Sequence, residues 1–326
     1  MPDLFSYAIA IRTLGTAGDK FLRELESICT QTVPPERVIV YIADGYDRPA
    51  FSVGKEEYVW VQKGMIAQRA LRYDEMDCDC LLLLDDDVLL EPDSVERMLC
   101  ALKENNADCV GADVFHNHRM TFQTKVFAAV TNLVFPHRNR KWAFIIHRNG
   151  SFSYNANPKK DFLWSQSCGG PAMLWKKEAL LRQHWEDELW LDRLEFAYGD
   201  DQLVSYKLYS NGGRLGVLYN AGVENLDAQS SSGSFRESEK HIYIRTKASF
   251  MIWWRTCYKN GKDTVATRLF ATLAYGFKAF WLVPVMVGAA FVKKDVRIFL
   301  SYFKGLRDGW NEVHSVAFRN LPPYIQ

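Results

Sequence analysis

The sequence predicts an α/β fold, with a mostly parallel central sheet, helices on both faces, and a helical C-terminal region. Three observations predict it. Short apolar runs alternate with stretches of helical spacing through the first 115 residues, the pattern of consecutive β-α-β units. The runs "YAIAIRTL" (7–14), "RVIVYIAD" (37–44) and "CLLLLDDD" (80–87) are nearly continuous in apolar residues, as in strands buried on both faces. The chain of 326 residues is 48% hydrophobic and 24% charged, enough for a sizeable core and too apolar for a disordered chain.

Each element follows from its own stretch. Residues 7–14 read as the first strand. Residues 18–32 carry Phe21, Leu22, Leu25 and Ile28 at helical spacing. The β-branched run 37–44 is a second strand and "YVWVQK" (58–63) a third. "MIAQRALRYDEM" (65–76) is expected to be helical. Residues 80–87 form the fourth strand. Residues 91–106 form a helix with Pro92 and Asp93 in its first turn. Residues 108–115 form the fifth strand. Residues 116–165 are read as strands and loops. "GGPAMLWKKEAL" (169–180) reads as turn, strand and helix start, and "GDDQLVSYKLYSNGG" (199–213) as a helix opened by two carboxylates and stopped by glycine.

Charge divides the chain. Residues 1–239 hold 26 Lys+Arg against 35 Asp+Glu, a net of −9, and residues 240–326 hold 14 against 4, a net of +10. The expected division is a catalytic domain at 1–239 and a basic, apolar helical region at 240–326. The catalytic domain itself divides into halves at about 1–115 and 116–239. The tail contains a charge-free run of 14 residues, Ala279–Val292. A membrane span wants about 20 apolar residues, and extending this run upstream brings in Lys278, with Pro284 inside. A buried helical hairpin, a span and an interfacial anchor remain open. In the last, Arg268, Lys293, Lys294 and Arg297 face anionic headgroups. The positive charge lies in an apolar segment rather than on a polar basic face, which argues against a nucleic-acid binder. No secretory signal is visible at the start, and seven cysteines form no CxxC pair. Both point to a cytoplasmic protein with reduced thiols.

Candidate chemistry begins with Asp85, Asp86 and Asp87 at the end of the leucine run. Three adjacent carboxylates there are costly unless a cation neutralises them, and hard divalent cations choose carboxylate oxygen. Such a site suits phosphate oxygens, because α/β sheets bind ligands beyond the carboxyl ends of their strands. A solvated acidic turn is the plainer alternative. Asp200–Asp201 can serve as helix N-terminal acids or as a general base. "FMIWWRTCYK" (250–259), Trp164, Trp175, Trp185 and Trp190 can stack on sugar or fill the core. His116 and His118 lack an evident third metal partner.

The order of these features resembles the family 2 glycosyltransferases over about residues 7–260. The turn "IAIRTLG" places Thr13, and "VIVYIADGYD" places Asp44. "GMIAQRA" supplies the Gly64 and Arg69 of a Gly-x-x-x-x-Arg stretch. Asp85 and Asp87 match the Asp-x-Asp motif, Gly169–Gly170 the acceptor-side glycine pair, and Asp200–Asp201 the Glu-Asp motif. The resemblance implies a GT-A fold and inverting transfer from a nucleotide-diphosphate sugar to a glycan or lipid-linked acceptor in surface polysaccharide assembly. It implies donor contacts at Thr13, Asp44, Arg69 and Asp85 or Asp86. Mn2+ or Mg2+ would sit on Asp87, with Asn225 or Asp227 where the family often has a histidine. Gly169, Gly170 and Asp200 would lie on the acceptor side, and Asp201 would be the base. The tail is similar to those of members that work at the inner membrane face, and no processive-synthase motif is present. A sugar-nucleotide pyrophosphorylase also uses such a sheet, but "RTLGTAGDK" is a poor match to its first loop. A non-catalytic membrane scaffold is the remaining alternative.

Overall fold

The computed structural model describes residues 5–114, 123, 126, 129–130, 141–194, 198–226 and 239–326. His116, His118 and Asp227 lie outside them. An eight-stranded sheet runs in the order β3 (Glu57–Val61), β2 (Val38–Ala43), β1 (Tyr7–Thr13), β4 (Cys80–Asp85), β10 (Ala172–Lys176), β6 (Cys109–Ala112), β11 (Leu215–Leu218), β9 (Phe162–Trp164). Strands β3, β2, β1 and β4 are parallel neighbours, and β6 pairs in parallel with β11. Strand β10 sits between the two parallel groups and is antiparallel to both β4 and β6. Strand β9 is antiparallel to β11 at the edge, and β7 (Phe144–Ile146) and β8 (Phe152–Tyr154) form a separate antiparallel pair. The sheet is thus mostly parallel, as expected, with two reversed strands that local pattern does not announce.

Side chains alternate across this sheet with period two. Ile9, Ile11, Val38, Val40, Ile42, Leu82 and Leu84 face one layer, where they meet Phe21, Leu25 and Ile28 of α1 (Asp19–Cys29) and Val95, Met98, Leu99 and Leu102 of α2 (Ser94–Glu104). Ala8, Ala10, Ile39, Tyr41, Leu81, Leu83, Met173 and Trp175 face the other, against Ile66, Tyr73 and Met76 and, from α4 (Asp200–Ser210), Leu203, Val204 and Leu208. Both layers are apolar and buried, which explains why the strands read as unbroken apolar runs. Each large aliphatic or aromatic side chain buried this way contributes roughly 1.5–3 kcal/mol. A short helix, α3 (Lys177–Leu181), follows β10 directly.

Residues 65–76 correct one expectation. They form turns, not a helix. Gln68 and Ala70 donate backbone N–H groups to Gly64 and Ile66, but the next turn does not propagate. The Asp192 carboxylate instead takes the backbone N–H groups of Ile66 and Ala67, at 2.8 and 2.9 Å. A Cβ at Gly64 would collide with that carboxylate, so glycine is required there by close approach.

The C-terminal region packs on the second layer. Helix α5 (Glu239–Trp253) lies against α7 (Arg297–Val313), and α6 (Val265–Lys293) runs between them in sequence. Buried Phe250, Trp253, Tyr275, Phe318 and Tyr324 belong to the same apolar cluster as Trp175, Trp185 and Trp190. The tryptophans weighed as sugar platforms at 175, 185, 190 and 253 are therefore core residues. The chain end reaches the start of α4: the Tyr324 hydroxyl donates to the Leu203 carbonyl at 2.5 Å. Beside it, Glu188 is fully buried. Arg255 clamps it through two hydrogen bonds of 3.0 and 2.8 Å, and Lys207 reaches it at 3.3 Å. Burial opposes ionisation of Glu188, but the charge and hydrogen bonds of Arg255, with the Lys207 charge and the Trp190 hydrogen bond, together hold the carboxyl below its usual range.

Candidate active site

The sheet brings the carboxyl ends of β1, β2 and β4 to one edge. Because β10 runs the other way, its start arrives at that same edge. Ala172 pairs with Leu84, and the Asp85 N–H donates to the Pro171 carbonyl at 3.1 Å. The glycine pair Gly169–Gly170 is thereby set beside the aspartate turn, some 85 residues away in sequence.

Arg69 is the centre of the site. It is 3% exposed. Its Nη1 donates to Asp200 at 3.1 Å and to Asp201 at 2.7 Å, and its Nη2 to Asp85 and to the Gly170 carbonyl, both at 3.0 Å. One planar, permanently charged fork thus joins a strand end, a glycine turn and a helix start. The backbone carbonyl of Arg69 is fixed in turn by the Tyr73 hydroxyl at 3.0 Å. Gly170 is a glycine for a local reason: a Cβ there would collide with the Asp201 carboxylate.

Arg12 is a second cation, one that sequence reasoning passed over. It lies across from Asp85 in the β1–β4 ladder and engages it with two hydrogen bonds, at 2.5 and 3.2 Å. It also stands 3.8 Å from Asp200. The signal was available, since Arg12 is a charge inside an otherwise apolar strand run. Gln68 was missed as well. It is buried, and its amide donates to the carbonyls of Thr13 and Tyr41, tying the ends of β1 and β2 together.

The aspartates are not equivalent. Burial alone would raise Asp85, but the charges of Arg12 and Arg69 hold it below the usual carboxylate range. Burial lifts Asp86 to about 6, assisted by Asp85 and Asp87 and opposed by the Thr13 hydroxyl, which donates to it at 2.5 Å. Asp87 is 8% exposed, and its carbonyl accepts from the Leu226 N–H at 2.8 Å. Burial, and then the charge of Asp201, pushes Asp200 up to about 7, against the pull of Arg69. The Asp201 side chain is 31% exposed and so reaches the open edge. Asp44 is exposed at the end of β2, its N–H bonded to Val61.

Behind the aspartate turn, β5 (Val88–Leu90) pairs with β12 (Val223–Asn225) and sets Asn225 opposite Val88, one residue from Asp87. Glu24 of α1 is fully buried nearby. Burial and then the charge of Asp86 hold its carboxyl well above the usual range. The donor set of Asp87 and Asn225 is all hard oxygen, and the neighbouring Asp86 is raised by burial first and then by the charges of Asp85 and Asp87, while both arginines engage Asp85. These residues fit a hard divalent cation. Among the described residues, no three acidic, histidine or cysteine side chains form a ready-made metal cluster. A cation here would complete its shell from elsewhere.

Comparisons with known proteins bear on the family and the fold. The model of the glycosyltransferase like family 2 matches residues 16–243, well over half of the chain. Compared with curated proteins by sequence, the chain matches none. Among solved structures, it resembles residues 1–349 of TarS from S. aureus with a TM-score of 0.54 at 12% identity, covering 95% of this chain and 81% of that one. A TarS structure in complex with UDP-GlcNAc gives 0.52 at 11% identity, over 93% and 80%. GalNAc-T7 with UDP, GalNAc and Mn2+ gives 0.51 at 10% identity, over 86% of this chain, which spans 57% of that one. Likeness at such identities speaks for the fold, and the matched family speaks for the chemistry. The chain is a member of glycosyltransferase family 2, with a GT-A fold and a nucleotide sugar as its donor.

Proposed function

We propose that the protein moves a sugar, with inversion, from a nucleotide-diphosphate donor to a hydroxyl of a glycan or lipid-linked acceptor in surface polysaccharide assembly. It does so at the cytoplasmic face of the inner membrane. The observation that carries the reading is the Arg69 fork, which gathers Asp85, Gly170, Asp200 and Asp201 at the sheet edge where α/β folds bind ligands.

In this reading residues 1–115 hold the donor, 116–239 the acceptor, and 240–326 the membrane side. Thr13, Asp44, Arg69, Asp85 and Asp86 bind the nucleotide and ribose. Asp87, with Asn225 or Asp227, holds Mn2+ or Mg2+, which when bound offsets negative charge on the leaving diphosphate. Asp201 accepts the proton of the acceptor hydroxyl as that oxygen bonds to the anomeric carbon. The bond from the anomeric carbon to the diphosphate breaks on the opposite face, and the nucleoside diphosphate leaves with the electron pair. Arg69 orients Asp201 through its 2.7 Å hydrogen bond. Asp200, Gly169 and Gly170 shape the acceptor side, and Gly170 leaves the space that Asp201 occupies.

A thermal-shift panel of UDP-, GDP- and dTDP-sugars, with and without Mn2+, tests this. A ligand that binds only the folded state raises the melting point, so one donor class should do so and Mn2+ should enlarge the shift. No shift with any donor would sink the reading. Release of pyrophosphate from a nucleoside triphosphate and a sugar 1-phosphate would replace it with nucleotidyl transfer.

A further inference from the structure

Helix α6 is 29 residues long and apolar enough to cross a membrane, yet it is attached to the protein along one side. Its inward face carries Ala271, Tyr275 and Lys278, all buried. Tyr275 stacks on Trp253 at 4.3 Å, Lys278 donates to the Asn149 carbonyl at 3.4 Å, and the Trp281 indole donates to the Val130 carbonyl at 2.9 Å. Tyr302 of α7 donates to the Ala279 carbonyl at 2.8 Å. The outward face is a different surface. Phe270, Leu273, Phe277, Phe280, Val287 and Phe291 recur at steps of three, four or seven and are 50% to 84% exposed. Soluble proteins rarely leave a contiguous apolar stripe of this length in water.

We propose that α6 lies in the plane of an anionic lipid bilayer, with this stripe buried at the boundary of headgroups and acyl chains. The proposal rests on the membrane-side reading above and adds the surface, the mode and the lipid charge. The length alone permits a span, about 43 Å at 1.5 Å per residue against a core of about 30 Å. Spanning, however, would strip Tyr275, Lys278 and Trp281 from the partners just named. Pro284 falls on the exposed side, in step with the stripe.

Charge selects the occupant. Lys293 and Lys294 end the helix, with Arg297, Lys304 and Arg307 on α7 beyond it. Arg297 is shared with Asp295 and Glu239, and Arg307 with Asp308, but residues 240–326 still carry a net of +10. A second copy of the chain would bring the same positive charge to the same face. An anionic membrane surface supplies the opposite charge together with an apolar phase.

The test uses the full chain with vesicles of phosphatidylcholine, alone or mixed with phosphatidylglycerol. The protein should sediment with the mixed vesicles and bind pure phosphatidylcholine more weakly. Phe277→Ser with Phe280→Ser should weaken binding to mixed vesicles about tenfold or more. Lys293→Glu with Lys294→Glu should weaken binding to the mixed vesicles only. Neither pair should change the thermal shift produced by the donor, so this surface and the transferase reading fail separately. Val265→Cys and Lys294→Cys should both react, above the wild-type background, with an impermeant maleimide outside sealed vesicles. Four outcomes overturn the proposal: no vesicle binding, binding that ignores both pairs, protection of one helix end, or a dimer that the phenylalanine pair dissociates.

Discussion

Two acidic clusters meet at the sheet edge, and they are held in different ways. The helix-start pair, Asp200–Asp201, is held by the Arg69 side chain, which donates to both. The strand-end cluster, Asp85–Asp87, is divided. Asp85 takes both arginines, while Asp86 accepts from the Thr13 hydroxyl and is lifted by burial to about 6. The arginines therefore engage Asp85, Asp200 and Asp201, while Asp86, raised by burial and then by its acidic neighbours, stands beyond the fork. In the proposed function that contrast puts the base on the arginine side and a cation on the other.

The sharpest way to break the comparison is Asp201→Asn. If Asp201 takes the proton, transfer should fall about 100- to 10,000-fold, while the donor-induced thermal shift persists. Near-normal transfer would remove Asp201 from the role of base. Arg69→Met tests the other half of the contrast. It leaves Asp200 and Asp85 buried without that charge, and stability measured by urea denaturation should drop by about 3–5 kcal/mol. Arg69→Lys should recover part of this, because an ammonium cannot reproduce the planar fork. Equal stability of Arg69→Met and wild type would mean that the fork does not hold the clusters together.

How far the site was legible follows from which forces are local. The strand ends were legible because strands buried on both faces must be continuous apolar runs, so Asp44 and Asp85 stood out where each run stopped. Arg12 was legible in principle, as a charge within such a run. The turns at 65–76 were not. Ile66, Ala67 and Ala70 have helical spacing, but the N–H groups of Ile66 and Ala67 are taken by Asp192, more than 120 residues away. Nor could the place of β10 be read. Its apolar residues announce a strand, while its insertion between β4 and β6, which carries Gly170 to Arg69, depends on long-range pairing. The α6 stripe had correct periodicity, but only tertiary packing, such as Tyr275 on Trp253 and Lys278 on Asn149, separated its two faces.

A smaller effect, with a definite sign, comes from Asp200. Its folded pKa is raised to about 7 from an ordinary 3.8. A carboxyl raised on folding costs nothing below its unfolded value. The cost grows as pH rises through the interval and is complete above the folded value. Asp86 adds a similar term up to about pH 6. Asp200→Asn should therefore stabilise the protein at pH 8 by about 1–3 kcal/mol, or roughly 1.5–4.5 °C in Tm for a chain of this size. The gain should shrink as pH falls toward 4. A gain that is the same at pH 5 and pH 8, or a loss at pH 8, would show that burial and the charge of Asp201 do not govern this group.

The smallest effect separates the two sides of the contrast most cleanly. Asp87→Ala removes a hard oxygen donor from the side beyond the fork and leaves both arginines with Asp85. The arginine-held part of the donor site should survive, so a donor added without metal should shift the melting point as it does in wild type. The extra shift from Mn2+, expected to be about 1–3 °C, should vanish, and chelation should then change nothing. Asp86→Asn distinguishes the neighbours. If Asp86 faces the ribose while Asp87 faces the cation, this variant should weaken donor binding with and without Mn2+ alike. An Mn2+ response that survives in Asp87→Ala but disappears in Asp86→Asn would exchange the two roles and move the cation one residue back along the strand end.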